Sequence, residues 1–266
     1  MKKLLLAAAL IAALASIAVA QDARTMTRAV TPQTANTKIN KQASAPSAPS
    51  YCKPCVFYGG DWPSTASDWV AFGNGNENYL GTIYNYSVYN ALKVPTNSQI
   101  KVLGLFTNNI FYNYETGTNS FKLDPNTVEW AINTGVSSGN GGTVYASGTS
   151  VGSFAATGRS YEDVYFEYTV KAAIGEATGP TLHGGQEYWF VAAGDCTDST
   201  CTEFMYQTDS FQGNAYGPKQ PSCQSYQNGP EGGIDFENTC DEGYGSDISA
   251  YLSGGVIGHG LAGASN

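Results

Sequence analysis

Apolar residues in this chain recur at every second position, in short runs that glycine, asparagine or proline soon interrupts. A period of two puts alternate side chains on opposite faces of an extended strand, whereas an amphipathic helix needs a period near 3.6. Val88, Asn90, Leu92 and Val94 alternate with Tyr89, Ala91 and Lys93 until Pro95 ends the run. Residues 100–106 form a second run, closed by Asn108-Asn109. Val128, Trp130 and Ile132 share a face opposite Glu129, Ala131 and Asn133. A strand over 143–147 follows Gly139-Asn140-Gly141-Gly142, a turn suited to the positive φ angles of a hairpin. In 162–170, Val164, Phe166, Tyr168 and Val170 are expected inside, with Tyr165, Glu167 and Thr169 facing water. Runs at 188–193 and 248–252 complete the set, and nothing beyond residue 20 combines a helical period with caps and a stop. The expected fold is all-β, an antiparallel two-sheet sandwich of jelly-roll type, since a closed barrel shows more even strand spacing.

Three zones precede or contain these strands. Lys2 and Lys3 lead an apolar run that ends at Ala18-Val19-Ala20, which predicts a signal peptide over 1–20. Residues 21–50 are Thr, Ala, Gln, Ser and Pro without an apolar period, a composition expected to form a disordered tether. Residues 51–266 are expected to be one β-sandwich domain, with a loop-rich excursion over 196–245. Charged residues make up only 13% of the chain, against about 25% in an ordinary domain. The domain holds seven basic and twenty-one acidic residues, while the tether carries Arg24, Arg28, Lys38 and Lys41 against Asp22. An acidic domain repels phosphate backbones and anionic lipid, so neither nucleic acid nor, after signal cleavage, a membrane is an expected partner.

Six cysteines, Cys52, Cys55, Cys196, Cys201, Cys223 and Cys240, follow the leader. An even number in an exported chain points to disulfides, and six allow fifteen pairings. Sequence-local bridges, Cys52–Cys55, Cys196–Cys201 and Cys223–Cys240, each bracket a polar or glycine-rich loop and are the expected set. The C-terminal region is therefore expected to be loop-like and stapled. The expected address is secreted, either extracellular or periplasmic.

The most distinctive stretch begins Trp130-Ala131-Ile132-Asn133-Thr134-Gly135-Val136 and runs through Gly139-Asn140-Gly141-Gly142 to Tyr145-Ala146-Ser147-Gly148. It resembles a motif of uncharacterised secreted bacterial β-sandwich proteins with choice-of-anchor-like domains. The resemblance extends over about 86–194, through Val94-Pro95, a Thr107-Asn108-Asn109 turn, Gly158-Arg159-Ser160 and Tyr188-Trp189. It implies a β-sandwich and carries no catalytic residue. Relatives of that kind often end in a sorting motif, an apolar helix and a basic cluster. Residues 253–266 have no basic cluster and too much glycine for a helix, so a released protein is expected.

Chemistry-bearing patterns are sparse. Gly258-His259-Gly260-Leu261-Ala262-Gly263 matches a dinucleotide string, but neither a following helix nor an acidic partner fits after it. Cys52-Lys53-Pro54-Cys55 lacks the strand and helix of a redox motif and a second pair for zinc. Of the two histidines, His183 and His259, one would have to serve as base in any hydrolase triad, and His183 is expected in a loop. Glu231, Asp235, Glu237, Asp241, Glu242 and Asp247 cluster without a basic residue, which makes Asp235, Glu237 and Asp241 candidate oxygen ligands for Ca2+. Ile110-Phe111-Tyr112-Asn113-Tyr114 is expected in a connection, where Phe111, Tyr112 and Tyr114 would stack on sugar faces. These features favour a non-catalytic extracellular module with a glycan or another extracellular protein as partner. Two alternatives accompany it. One is a carbohydrate-active hydrolase using two of Glu129, Glu167 and Glu187, which would require a separation of about 5–10 Å. The other is a self-assembling fibre or surface subunit joined through exposed strand edges.

Overall fold

Every described element is extended, as the period of two requires. The strands are β1 (Cys55–Tyr58), β2 (Ala71–Gly73), β3 (Gly75–Tyr79), β4 (Thr82–Lys93), β5 (Gln99–Asn113), β6 (Thr127–Thr134), β7 (Thr143–Tyr161) and β8 (Tyr165–Ala173). They continue with β9 (Thr181–His183), β10 (Glu187–Cys196), β11 (Glu203–Ser210), β12 (Tyr226–Asn228), β13 (Glu237–Asn238), β14 (Asp247–Ile248) and β15 (Ala250–Ile257). The structure is a computed structural model describing residues 52–61, 71–73, 75–79, 82–113, 127–161, 165–196, 203–210, 215–218, 223–229, 236–240 and 247–257. The expected leader, the expected tether, Tyr114, Cys201, Asp235 and Asp241 lie outside the described residues.

The strands form one curled sheet in the order β1-β15-β5-β8-β7-β6-β10-β3-β4-β12-β13, with β11 adding to β5 and carrying β2 and β14. Pairings are antiparallel except β10–β3, where residues 194–196 run parallel to 75–77. The curl depends on β7. Its first half pairs with β6 and its second half with β8, so one strand belongs to both halves of the sheet.

A single apolar core lies inside the curl. It draws Phe57 from β1, Leu92 from β4, Ile100, Val102 and Leu105 from β5, Val128, Trp130 and Ile132 from β6, Val170 from β8 and Phe190 from β10. Phe57 meets Phe190 edge-on, with ring centroids 6.0 Å apart. A Cβ on Gly148 would lie 2.9 Å from the Trp130 ring, so glycine there is what lets the indole lie against β7. At one end the interior turns polar. Asn90 donates from Nδ2 to the carbonyls of Val88 (3.1 Å) and Phe190 (3.0 Å), and Thr107 Oγ1 donates to Ala192 O at 3.1 Å. Gln207 Nε2 donates to Asn90 Oδ1 at 3.1 Å and Ser249 O at 3.3 Å.

Several sequence expectations need correction. Thr107-Asn108-Asn109 is not a turn: β5 runs straight through it to Asn113, and 109–113 pair with β11. Phe111 and Tyr112 are thus strand residues rather than members of a connection. Region 196–245 is not simply loop, since β11, β12 and β13 lie in it. Glu167 and Thr169 do alternate with core residues, yet both are buried. Asn133 is buried as well. The common reason is a second covering on the outer faces of the sheet, which a rule of alternation cannot foresee. Outside β5 and β15, Tyr58, Phe106 and Tyr251 cluster with the Cys52–Cys55 bridge, and Phe106 stacks on Tyr251 at 4.4 Å. Beside them Thr169 Oγ1 donates to Asn108 Oδ1, Asn108 Nδ2 to Ser249 Oγ, and Ser249 Oγ to Gly60 O, at 2.7–2.8 Å. His183, expected in a loop, is an exposed residue of β9 facing Gln99.

Two of the three expected disulfides are present, Cys52–Cys55 and Cys223–Cys240, with Cα atoms 4.7 and 5.3 Å apart. The second spans 17 residues, and closing such a loop in the unfolded chain is worth about 3 kcal/mol. Cys196–Cys201 lies outside the described residues.

Candidate functional site

The Cys223–Cys240 staple clamps a short ribbon onto the outer face of the sheet. Residues 226–228 of β12 pair with 87–89 of β4, and β13 pairs with β12. Hydrogen bonds lock the ribbon: Asn238 Nδ2 donates to Cys223 O at 2.7 Å, Thr239 N to Ser225 O at 3.1 Å, and Trp189 Nε1 to Gln224 O at 2.7 Å. Cys223 and Phe236 hold φ angles of 54° and 48°. For residues with a Cβ that left-handed conformation costs roughly 1–2 kcal/mol each, which the bridge and the bonds around it offset.

This backbone aims the Phe236 ring at the β6–β7 hairpin. A Cβ on Gly141 would fall 2.3 Å from Phe236 Cζ, so a side chain at 141 would evict the ring. Ser137 and Asn140 exchange backbone hydrogen bonds at 2.9 and 2.8 Å, and Gly142 N donates to Asn140 Oδ1 at 2.9 Å. Gly142 has φ +69°, and a Cβ there would lie 2.2 Å from Thr134 O. Asn133 Nδ2 donates to Gly141 O at 2.8 Å and fixes the other limb. Phe236 packs at 5.1 Å against Tyr89, which projects from β4 on the face opposite Val88 and Asn90. Trp189, Tyr226 and Val136 floor the patch, and Tyr89 and Phe236 remain half-buried at its surface.

The result is a platform of two half-buried rings, edged by exposed Ser137, Ser138 and Asn140 and by half-buried Glu237 and Asn238. Rings, hydroxyls and amides in that proportion suit a polar, uncharged ligand, with stacking on the rings and hydrogen bonds at the rim. Sequence reading missed Tyr89 and Phe236 as surface groups. Tyr89 stood on the outward face of its run, and Phe236 lies inside the Cys223–Cys240 bracket; neither signal says that the two rings meet.

Other sequence candidates are dispersed. Phe111 and Tyr112 sit in β5 opposite Met205 and Phe204 of β11. Of the expected Ca2+ ligands only Glu237 is described, in β13, and among the described residues no three His, Cys, Asp or Glu converge to hold a metal ion. Glu129 is exposed on β6 and pairs with Thr149, whereas Glu167 is buried and accepts from Thr157 Oγ1 at 2.8 Å. Those β7 partners are eight residues apart, about 26 Å of extended strand. Glu187 is half-buried where β10 begins.

Burial raises the phenol pKa of Tyr89, and also those of Tyr145 and Tyr168. Tyr145 Oη donates to Thr181 O at 2.6 Å and its ring meets Tyr188 at 5.3 Å. A raised phenol pKa means the folded state holds its protons longer than the unfolded one. Stability is therefore intact below the unfolded tyrosine pKa of about 10 and declines as pH rises beyond it. An ultraviolet titration of the phenolate band is expected to lag for these rings, and Tyr89→Phe to shrink both the lag and the alkaline loss of stability.

Compared with family models, curated proteins and solved structures, the chain finds no match.

Proposed function

We propose that this protein is a secreted, non-catalytic β-sandwich module that acts by contact, recognising a neutral glycan or the polar surface of another extracellular protein. In this reading the curled sheet closes into two layers of jelly-roll type. Support comes from contacts across the core between strands distant in sheet order, Phe57 with Phe190 and Thr107 with Ala192. The two disulfides are compatible with an oxidising compartment outside the cytoplasm.

One observation carries the functional reading: the Tyr89–Phe236 ring pair held half-buried by a stapled ribbon beside an exposed Ser/Asn hairpin. Fixing the rings in advance reduces the ordering cost of binding. Among the described residues Glu237 is the one carboxylate at the platform, and glycosidic hydrolysis uses two. The test is a glycan array followed by a hydrolysis screen on the hits. Binding without turnover is expected, with affinity falling about tenfold or more in Tyr89→Ala and Phe236→Ala. Turnover that disappears in Glu129→Gln or Glu167→Gln would replace this reading with that of a hydrolase.

A further inference from the structure

The long strand β7 has a neighbour along one side at a time. Residues 143–151 pair only with β6 and residues 152–161 only with β8, among the described residues. Among the described residues no strand lies along the other side of 143–151, whose backbone N–H and C=O groups form an extended row. Other described strands are also paired on one side over part of their length, such as β4, twelve residues long, which meets β12 only at 87–89. β7 is 19 residues long.

Natural edge strands are guarded by lysine, proline, bulges or inward-turned charge. Between the bulge near Tyr145 and residue 151 this edge has none of them. Residues 130–158 contain no charged side chain, the longest such stretch in the chain, although the domain carries seven basic against twenty-one acidic residues. Two apolar side chains stand in solvent on the edge, Val144 at 57% and Val151 at 81% exposure. Ser147 and Thr149 are exposed between them, and Thr143 just before them.

We propose that β7 is the surface through which two copies of this protein associate, by antiparallel pairing of 143–151 with the same residues of the second copy. An edge built to select a charged strand would display the opposite charge, and this edge displays none. Two strongly acidic domains repel each other over most of their surfaces. They can approach closely where neither brings a charge, and 130–158 is the longest place of that kind. The match is self-complementary, since β-branched and hydroxyl side chains meet their like across a two-fold axis. The proposal extends the contact-based reading by naming a partner, while the glycan array tests that reading separately.

The experiment is sedimentation velocity of the purified protein over a wide concentration range, with hydrogen exchange at both ends of that range. A concentration-dependent dimer is expected, with exchange slowed selectively in 143–151. Ser147→Lys is expected to weaken dimerisation at least tenfold, because residue 147 is the midpoint of 143–151 and antiparallel self-pairing sets the two added charges directly opposite each other. Ile257→Lys, at an exposed position of β15 three places from β7 in the sheet, adds the same charge away from the edge and is expected to leave the dimer intact. General relief of acidic repulsion would act the opposite way in both variants, so the contrast isolates the strand. A monomer at every concentration would overturn the proposal. So would a dimer without protection in 143–151, or one that survives Ser147→Lys. Protection lost on deletion of 21–50 would assign the edge to that segment and overturn self-pairing.

Discussion

Phe190→Ala is expected to lower the unfolding free energy by about 3–5 kcal/mol, the range for removing a large buried ring from a packed interior. Phe190 is 1% exposed and stands edge-on to Phe57 at 6.0 Å. β10, which carries it, is paired on both sides, with β6 along one edge and β4 and β3 along the other. A paired backbone cannot collapse into the void, so most of the cavity would persist. Phe57 loses its partner at the same time, and it is the main anchor of β1 in the core. Urea unfolding followed by tryptophan fluorescence measures the loss. A change below about 1 kcal/mol would mean that this ring does not join the two halves of the sheet.

Asn90→Ala is expected to cost about 4 kcal/mol, although it removes few atoms. The Asn90 amide donates to two buried carbonyls, Val88 O and Phe190 O, and its oxygen accepts from Gln207 Nε2. Deleting it removes three buried hydrogen bonds at a site with no exposure, each worth about 0.5–1.5 kcal/mol, and leaves a cavity in their place. Gln207 supplies the contrast. Its Oε1 is buried with no hydrogen-bond partner, so Gln207→Leu removes an unmet acceptor along with its two donated bonds. The leucine variant is expected to lose clearly less than Asn90→Ala. Equal losses in the two chevrons or melts would contradict this assignment of the polar end.

The all-β class, the main strand positions and two disulfide pairings were legible in the sequence, because each follows from local rules. Alternation at Val88, Leu92 and Val94 marks which side chains reach the core, and all three do. Alternation does not tell whether the other face meets water. Glu167 and Asn133 follow the period and are nonetheless buried, Glu167 accepting from Thr157 Oγ1 and Asn133 donating to Gly141 O. Asn108-Asn109 reads as a turn by composition, yet the strand continues, with Asn108 buried and donating to Ser249 Oγ and Asn109 buried and donating to Thr107 Oγ1 on the same strand. The candidate platform was hidden for a similar reason. Tyr89 and Phe236 are 147 positions apart in sequence, and only the Cys223–Cys240 bracket hinted that the later one is held against the sheet.

The place of β15 in the sheet bears on how the chain reaches this structure. It is the last strand in sequence but lies between β1, the first, and β5, with Ala250 and Leu252 in the apolar core. Until residue 257 is available, β1 has no described strand to pair with and one half of the sheet lacks an interior member. Contacts of such long sequence span make folding slow, and the docking of β1 waits for β15. A partly threaded chain from which residues 251–253 have yet to emerge therefore lacks the strand that locks residues 55–58 in place.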